Sequence, residues 1–261
     1  RASLAEADSD SLKRTIGDAR KAVSEASEEL ERARAAGRGD VVLVDGVTGS
    51  GKTEVYLAAI ERALADGRGA LVLVPEISLT AQTVGRFRSR FGDEVAVLHS
   101  RLSTGERFDQ WDLVRQGVAR VVVGARSALF APLAEVGLVI IDEEHEFSYK
   151  QDKSPRYHAR EVAAELARAR GAALVLGSAT PSLESLERCR EGLCRGVSWT
   201  RVEMPERPGA SVLPDVTVVD MAEQFRSGGR SVFSGPLVDA LREVAERREK
   251  AVLMLNRRGF A

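Results

Sequence analysis

The sequence is poor in several residue types, and each shortage closes a door. Its 261 residues hold two cysteines, Cys189 and Cys194. They cannot build a disulfide framework or, alone, a four-ligand zinc site. They read as two free thiols of a reducing compartment. No apolar run approaches the roughly 20 residues that a membrane helix needs, so no membrane partner is expected. The opening "RASLAEADSD" lacks the basic and apolar regions of a signal peptide. No initiator Met is present and the chain stops at "LNRRGFA", so both ends are expected to lie inside a longer protein. Charge of one sign is lacking too. A formal net charge of -1 argues against a uniformly basic nucleic-acid binder but leaves room for a local basic groove.

What is present is ordinary for a soluble globular protein: 44% hydrophobic and 30% charged residues. The length suits one large domain, or one domain with part of another. Over 12–36, Leu12, Ile16, Ala19, Val23, Ala26, Leu30 and Ala33 recur at alternating spacings of four and three. That is a helical stripe. It suits a short coiled coil or a helix docked on its own domain, and its alanines favour docking.

From residue 40 short apolar runs alternate with helical segments: "DVVLVDG", "ALVLVPE", "EVAVLHS", "RVVVGAR", "GLVIIDEEH" and "AALVLGSAT". Continuous Val/Leu/Ile runs suit strands buried on both faces, so an α/β fold with a parallel sheet flanked by helices is expected. Parallel strands end on one edge. Gly46, Glu76, His99, Arg126, Asp142 and Ser178 should therefore gather where open α/β sheets bind ligands. After "GSATPSLES" comes a proline-rich connector, then an expected strand "VTVVDM", a helix with Ser234 as N-cap, and an expected strand in "AVLMLNRRGFA". The expected organisation is a helical segment over 1–39, a nucleotide-binding lobe over 40–205, and a connector with the start of a second lobe over 206–261.

Residues 46–53, "GVTGSGKT", match G-x-x-x-x-G-K-[ST]. A chance match in this composition is about 1 in 200. Gly46, Gly49 and Gly51 free the backbone to turn successive N–H groups onto phosphate at a helix N-terminus. Thr48, Ser50, Lys52 and Thr53 complete the candidate nucleotide contacts. Lys52 would reach the β- and γ-phosphates, and the Thr53 hydroxyl would ligate Mg²⁺.

"GLVIIDEEHEFSY" sets Asp142, Glu143, Glu144 and His145 after an apolar run, on what should be the strand neighbouring that loop. Asp142 is the expected second Mg²⁺ ligand, and Glu143 the base for a water attacking the γ-phosphate. Lys52, Asp142, Glu143 and His145 are the catalytic candidates. Ser178 and Thr180 of "LGSATPS" follow in the order of motif III in superfamily 2 helicases, where two hydroxyls link nucleotide and nucleic-acid sites.

Taken together, "GVTGSGKTEVYL", "LVPEISLT", "LHSRLSTGERFDQW", "VVVGARSALFAPL", "IDEEHEFSYKQDKSPRYHARE", "GSATPSLES" and "LNRRGFA" resemble the PriA family of primosomal replication-restart helicases, from about residue 40 onward. The resemblance implies a RecA-like P-loop lobe, plus the start of a second. It implies an ATP- and Mg²⁺-using DNA helicase that unwinds 3′ to 5′ at stalled forks in the cytoplasm. Its expected partners are single-stranded and forked DNA and the primosome and replication-restart proteins. Zinc would belong only to a C-terminal part beyond this chain. Phe147, Tyr149 and Tyr157 stand in an aromatic-rich loop where they could stack on bases, and Lys150, Lys153 and Arg156 could meet phosphates. Thr80, Arg126 and Ser127 are the candidate backbone contacts, with an ion pair from Arg126 to Asp142 or Glu143 as the alternative. "RFRSR" at 86–90 reads as a solvated helix face.

The family's adenine-reading glutamine ahead of the first strand has no counterpart, since the first glutamine is Gln82. The late motifs of the second lobe are missing too, including an arginine that acts across the cleft. Such an arginine can be worth about 10³ to 10⁵ in rate, so this chain alone is expected to bind ATP–Mg²⁺ and turn it over poorly. Two other readings stay open: a nucleotide-responsive DNA-binding module without turnover, and a different P-loop ATPase.

Overall fold

The computed structural model describes residues 2–207, 215–226 and 231–254. The chain divides into two compact units, the first ending at Ser211 and the second starting at Val212.

The first unit opens with helix α1 (Ala2–Ala36), and strand β1 (Val41–Gly46) leads through the glycine loop into α2 (Lys52–Ala65). Then come β2 (Gly69–Leu73), α3 (Ala81–Phe91), β3 (Val95–Leu98), α4 (Thr104–Arg115), β4 (Val121–Gly124) and β5 (Val136–Asp142). A two-strand hairpin, β6 (Lys150–Gln151) and β7 (Tyr157–His158), precedes α5 (Ala159–Arg170) and β8 (Ala173–Ser178). Helix α6 (Leu183–Glu191), β9 (Leu193–Cys194) and β10 (Val197–Met204) complete the layer.

The main sheet runs β3-β4-β2-β5-β8-β1-β10-β9. Every pairing in it is parallel except β10 with β9. Each of the six expected apolar runs forms a strand, and their side chains are almost wholly buried because helices cover both faces. One core cluster gathers α1, α2 and one sheet face; the other gathers α4, α5 and the opposite face. Helix α1 is docked: Ala19, Ala22, Ala26, Leu30 and Ala33 are buried, so its small residues bring it close to the sheet and to α2.

The sheet order corrects one expectation. The strand carrying Asp142 is not adjacent to the strand that feeds the glycine loop. Strand β8 lies between them, pairing with β1 on one side and β5 on the other. Residue 177 is opposite Val44 on one flank and Asp142 on the other, and it is a glycine.

The second unit is helical among its described residues, with α7 (Met221–Arg226) and α8 (Gly235–Glu246). Ser234 caps α8 as expected, its Oγ accepting from Leu237 N at 3.2 Å. The expected strands are absent among the described residues: 216–220 and 251–254 carry no regular structure, and 255–261 lie outside the description. Val216, Val218, Val252 and Met254 are exposed, so neither stretch has the covering layer that would make a strand of it. Cys189 and Cys194 are free thiols, and burial pushes Cys189 up to about 11. No helix among the described residues is long and apolar enough to cross a membrane.

Candidate active site

Strand β1 ends at Gly46, and the next five residues turn into the N-terminus of α2. Gly49 (φ 83°) and Gly51 (φ 100°) hold left-handed backbone, which side chains rarely adopt and which lets a tight loop face its N–H groups inward. Lys52 is buried and folds back, Nζ donating to Gly46 O at 2.5 Å. Gly46 and Ser50 form the base of the loop. A Cβ on Gly46 would lie 2.6 Å from Ser50 Oγ and 3.0 Å from Met204 Cβ.

A cavity of about 660 Å³ opens beside this loop. Thr48, Gly49, Gly51, Lys52 and Thr53 line it from one strand end, and Asp142 and Glu143 from another. Residues ninety positions apart thus share one space. Helix α3 adds Arg86 and Arg90, the latter paired with Glu61 at 2.6 Å. The "RFRSR" segment keeps Arg86, Arg88, Ser89 and Arg90 exposed around buried Phe87, a solvated face that also borders the cavity.

The donor set suits a phosphate with a hard cation. It offers loop N–H groups, the Lys52 ammonium, the Thr48 and Thr53 hydroxyls and the Asp142 and Glu143 carboxylates, and Mg²⁺ beside phosphate needs only one or two protein oxygens. Ser50 Oγ is a further observation in favour, since it is buried in this loop without a hydrogen-bond partner. No cluster of three or more ligating side chains occurs among the described residues.

Asp142 is held by a residue that sequence reasoning missed. Tyr56, one turn into α2, donates its hydroxyl to Asp142 Oδ1 at 2.9 Å. The contact passes over Gly177, where a Cβ would lie 1.6 Å from the Tyr56 oxygen. Burial raises the pKa of Asp142, and the Tyr56 hydrogen bond and Lys52 oppose it. Burial, then Asp142, raises that of Glu143. Glu143 also sits at φ 47°, a left-handed conformation that costs a residue with a side chain on the order of 1 kcal/mol or more.

His145 joins the acidic box to the serine–threonine pair. Its Nδ1 lies 2.7 Å from Ser178 Oγ and 3.7 Å from Glu143 Oε2, and its Nε2 lies 3.5 Å from Thr180 Oγ1. Ser178 Oγ also accepts from Thr180 N at 3.0 Å. Glu144 points the other way, into a buried network. It pairs with buried Arg160 at 2.6 Å and accepts from Ser182 N at 2.7 Å and Ser185 Oγ at 3.1 Å. Adjacent acids thus face different neighbourhoods, one in the cavity and one clamping α5 and α6 to the box.

The expected nucleic-acid residues divide. Phe147, Lys150 and Arg156 are exposed, as are Thr80 and Ser127. Thr80 also caps α3, accepting from Thr83 N at 3.2 Å. Tyr157 is half-buried against Phe130. Tyr149 is a correction. It is fully buried, its hydroxyl donating to Asp142 O at 2.6 Å and lying 3.1 Å from Leu73 O. It braces the loop and has no face open to a base. Arg126 meets neither Asp142 nor Glu143; it donates to Ser148 O at 2.9 Å and Lys150 O at 2.5 Å, fixing the loop after the box. The cue for Tyr56 is a lone tyrosine on the buried side of α2.

The DEAD/DEAH box helicase family model matches residues 27–189, more than half of the chain and the whole of the site just described. The chain belongs to the DEAD/DEAH box helicase family. In this chain the box reads Asp142-Glu143-Glu144-His145. It is similar to the replication restart protein PriA of Bacillus subtilis, 50% identical over 85% of this chain. The corresponding proteins of Synechocystis and Haemophilus influenzae are 48% and 45% identical over 84% and 85%. This chain spans 27%, 26% and 29% of the length of those three relatives. The family resemblance read from the motifs holds. Two solved structures are also similar: RecG bound to a three-way DNA junction (TM-score 0.49, 23% identity, covering 72% of this chain and 24% of that one), and the helicase MrfA bound to DNA (0.49, 15%, 72% and 27%). The expected α/β layer, a mostly parallel sheet flanked by helices, is what the chain forms.

Proposed function

We propose that this chain is the ATP-driven motor core of a DNA helicase of the replication-restart type. The observation that carries the reading is the single cavity shared by Lys52, Thr53, Asp142 and Glu143. In this reading the loop N–H groups and Lys52 hold the triphosphate, Lys52 exchanging its bond to Gly46 O for phosphate oxygen. Thr53 and Asp142 would hold Mg²⁺, which supplies charge neutralisation on the phosphate oxygens. Glu143 accepts the proton of the attacking water, and burial keeps its basicity above that of an ordinary carboxylate. His145 carries the state of the box to Ser178 and Thr180. Tyr149 and Arg126 tie the following loop to Asp142 and to the sheet edge, so strand binding on that loop is felt at the metal ligand.

The finer assignments are those implied by the family resemblance of the motifs: 3′-to-5′ movement, forked DNA, restart-protein partners and a cytoplasmic place at forks. The test is phosphate release from ATP–Mg²⁺ with and without a single-stranded oligonucleotide. Stimulation that disappears in Lys52→Ala and in Glu143→Gln supports the motor. The second reading is a nucleotide-responsive DNA-binding module. It predicts ATP-dependent oligonucleotide affinity without phosphate release.

A further inference from the structure

The glycine loop is backed by two residues that lie outside the 27–189 stretch matched by the family model: Val23 of α1 and Met204, the last residue of β10. Neither borders the nucleotide cavity. A Cβ built on Gly51 would lie 3.3 Å from Val23 Cγ2 and 3.9 Å from Met204 Cε. Gly51 is the N-cap of α2, makes no side-chain cap bond, and sits at φ 100°. The two side chains thus stand behind a residue whose backbone is otherwise free to leave this conformation.

Met204 also ties the loop to the sheet. Its carbonyl accepts from Val47 N at 3.2 Å, and it stands opposite Gly46 in the register of β1 with β10. It is 1% exposed. Val23 is fixed by the helix around it. Ser27 Oγ donates to Val23 O at 2.8 Å, Leu30 and Ala33 are buried in the next turns, and Arg34 pairs with Asp66 at the C-cap of α2. Within the loop, Ser50 N donates to Val47 O at 3.0 Å and Lys52 Nζ to Gly46 O at 2.5 Å. In the motor reading Lys52 gives up that bond for phosphate. The tie to Met204 then remains, with the apolar wall behind Gly51.

We propose that Val23 and Met204 are positioning residues for phosphate binding, holding the loop in its binding conformation before a nucleotide arrives. The inference rests on the nucleotide reading above and adds α1 and β10 to that site. Without the wall, Gly51 visits other conformations, and affinity falls by the fraction of chains whose loop is competent. A bound triphosphate orders the loop whatever stands behind it, so the loss belongs to affinity and not to turnover at saturation.

The test uses the whole chain. It measures equilibrium binding of ATP–Mg²⁺ and of inorganic tripolyphosphate–Mg²⁺, and phosphate release at saturating ATP–Mg²⁺. Val23→Ala should weaken both ligands about threefold and Met204→Ala about fivefold, with release at saturation kept within about twofold. The double variant should lose about tenfold, less than the product, because each change frees the same glycine. Met204→Leu keeps the volume and should bind as the parent does. Leu30→Ala opens the α1 interface two turns further along and should leave both affinities unchanged. Val23 is half-buried, so its variant decides the matter if Met204→Ala does not fold. Parent-like affinities in folded Val23→Ala and Met204→Ala overturn the inference and leave the nucleotide site standing. Weaker ATP binding with unchanged tripolyphosphate overturns it too, since the effect then acts on the nucleoside. So does an equal loss in Leu30→Ala, which would assign the effect to the fold at large. No binding of either ligand by the parent overturns the nucleotide reading and the inference together.

Discussion

The hydroxyl of Tyr56 donates to Asp142 Oδ1 at 2.9 Å, across the one residue of β8 that has no side chain, Gly177. The relationship follows from the strand order. With β8 between the two motif strands, a side chain from α2 must span a strand's width to reach the acid.

Tyr56→Phe should therefore loosen the carboxylate while leaving the glycine loop intact. We expect phosphate release to fall about tenfold and half-saturating Mg²⁺ to rise, with nucleotide affinity little changed. The lost hydrogen bond should cost about 1 kcal/mol of stability. Titration of activity against Mg²⁺ checks this, and an unchanged midpoint would contradict it.

Gly177→Ala should do more harm than Tyr56→Phe, because the new methyl lies 2.8 Å from Tyr56 Cζ as well as 1.6 Å from its oxygen. Removing the ring should relieve the clash. Gly177→Ala should thus cost less stability on a Tyr56→Ala background than on the parent, which a double-mutant cycle by urea unfolding measures.

The neighbouring acids should separate activity from stability. Glu143→Gln should abolish phosphate release with little change in stability, since Glu143 faces the cavity. Arg160→Ala strands buried Glu144 without its partner and should cost about 3–5 kcal/mol. Thermal unfolding of both variants decides the assignment, and a stable Arg160→Ala would refute the clamp.

Much of this was legible beforehand. All six continuous apolar runs became strands, because burial on both faces leaves no room for polar alternation. The glycine loop and acidic box met in one cavity, because parallel strands end together. Neither β8's place between them nor Tyr56's reach could be read, since local pattern does not fix strand order. Tyr149 looked like a stacking residue because its burial depends on β2 and β5 supplying two carbonyl acceptors. Val216 and Val218 suited a strand by composition, but strands need a partner as well as propensity.

The pH dependence of stability carries a definite sign. Burial raises the folded pKa of Asp142 above its ordinary value, so its ionisation is disfavoured in the fold. The destabilisation is absent below the ordinary value, and it develops as pH rises through the folded pKa. Asp142→Asn stays neutral. Its melting temperature in Mg²⁺-free buffer, relative to the parent, should rise between pH 4 and pH 8, while its Mg²⁺-dependent phosphate release is lost. A constant difference would contradict the burial argument.

The most direct test of the central claim is equilibrium binding of ATP in the presence and absence of Mg²⁺ to the parent, Lys52→Ala and Asp142→Asn. If the two residues serve one triphosphate and its metal, the parent binds more tightly with Mg²⁺. Lys52→Ala loses affinity in both conditions, and Asp142→Asn loses only the Mg²⁺-dependent gain. Parent-like binding by both variants would contradict the shared site.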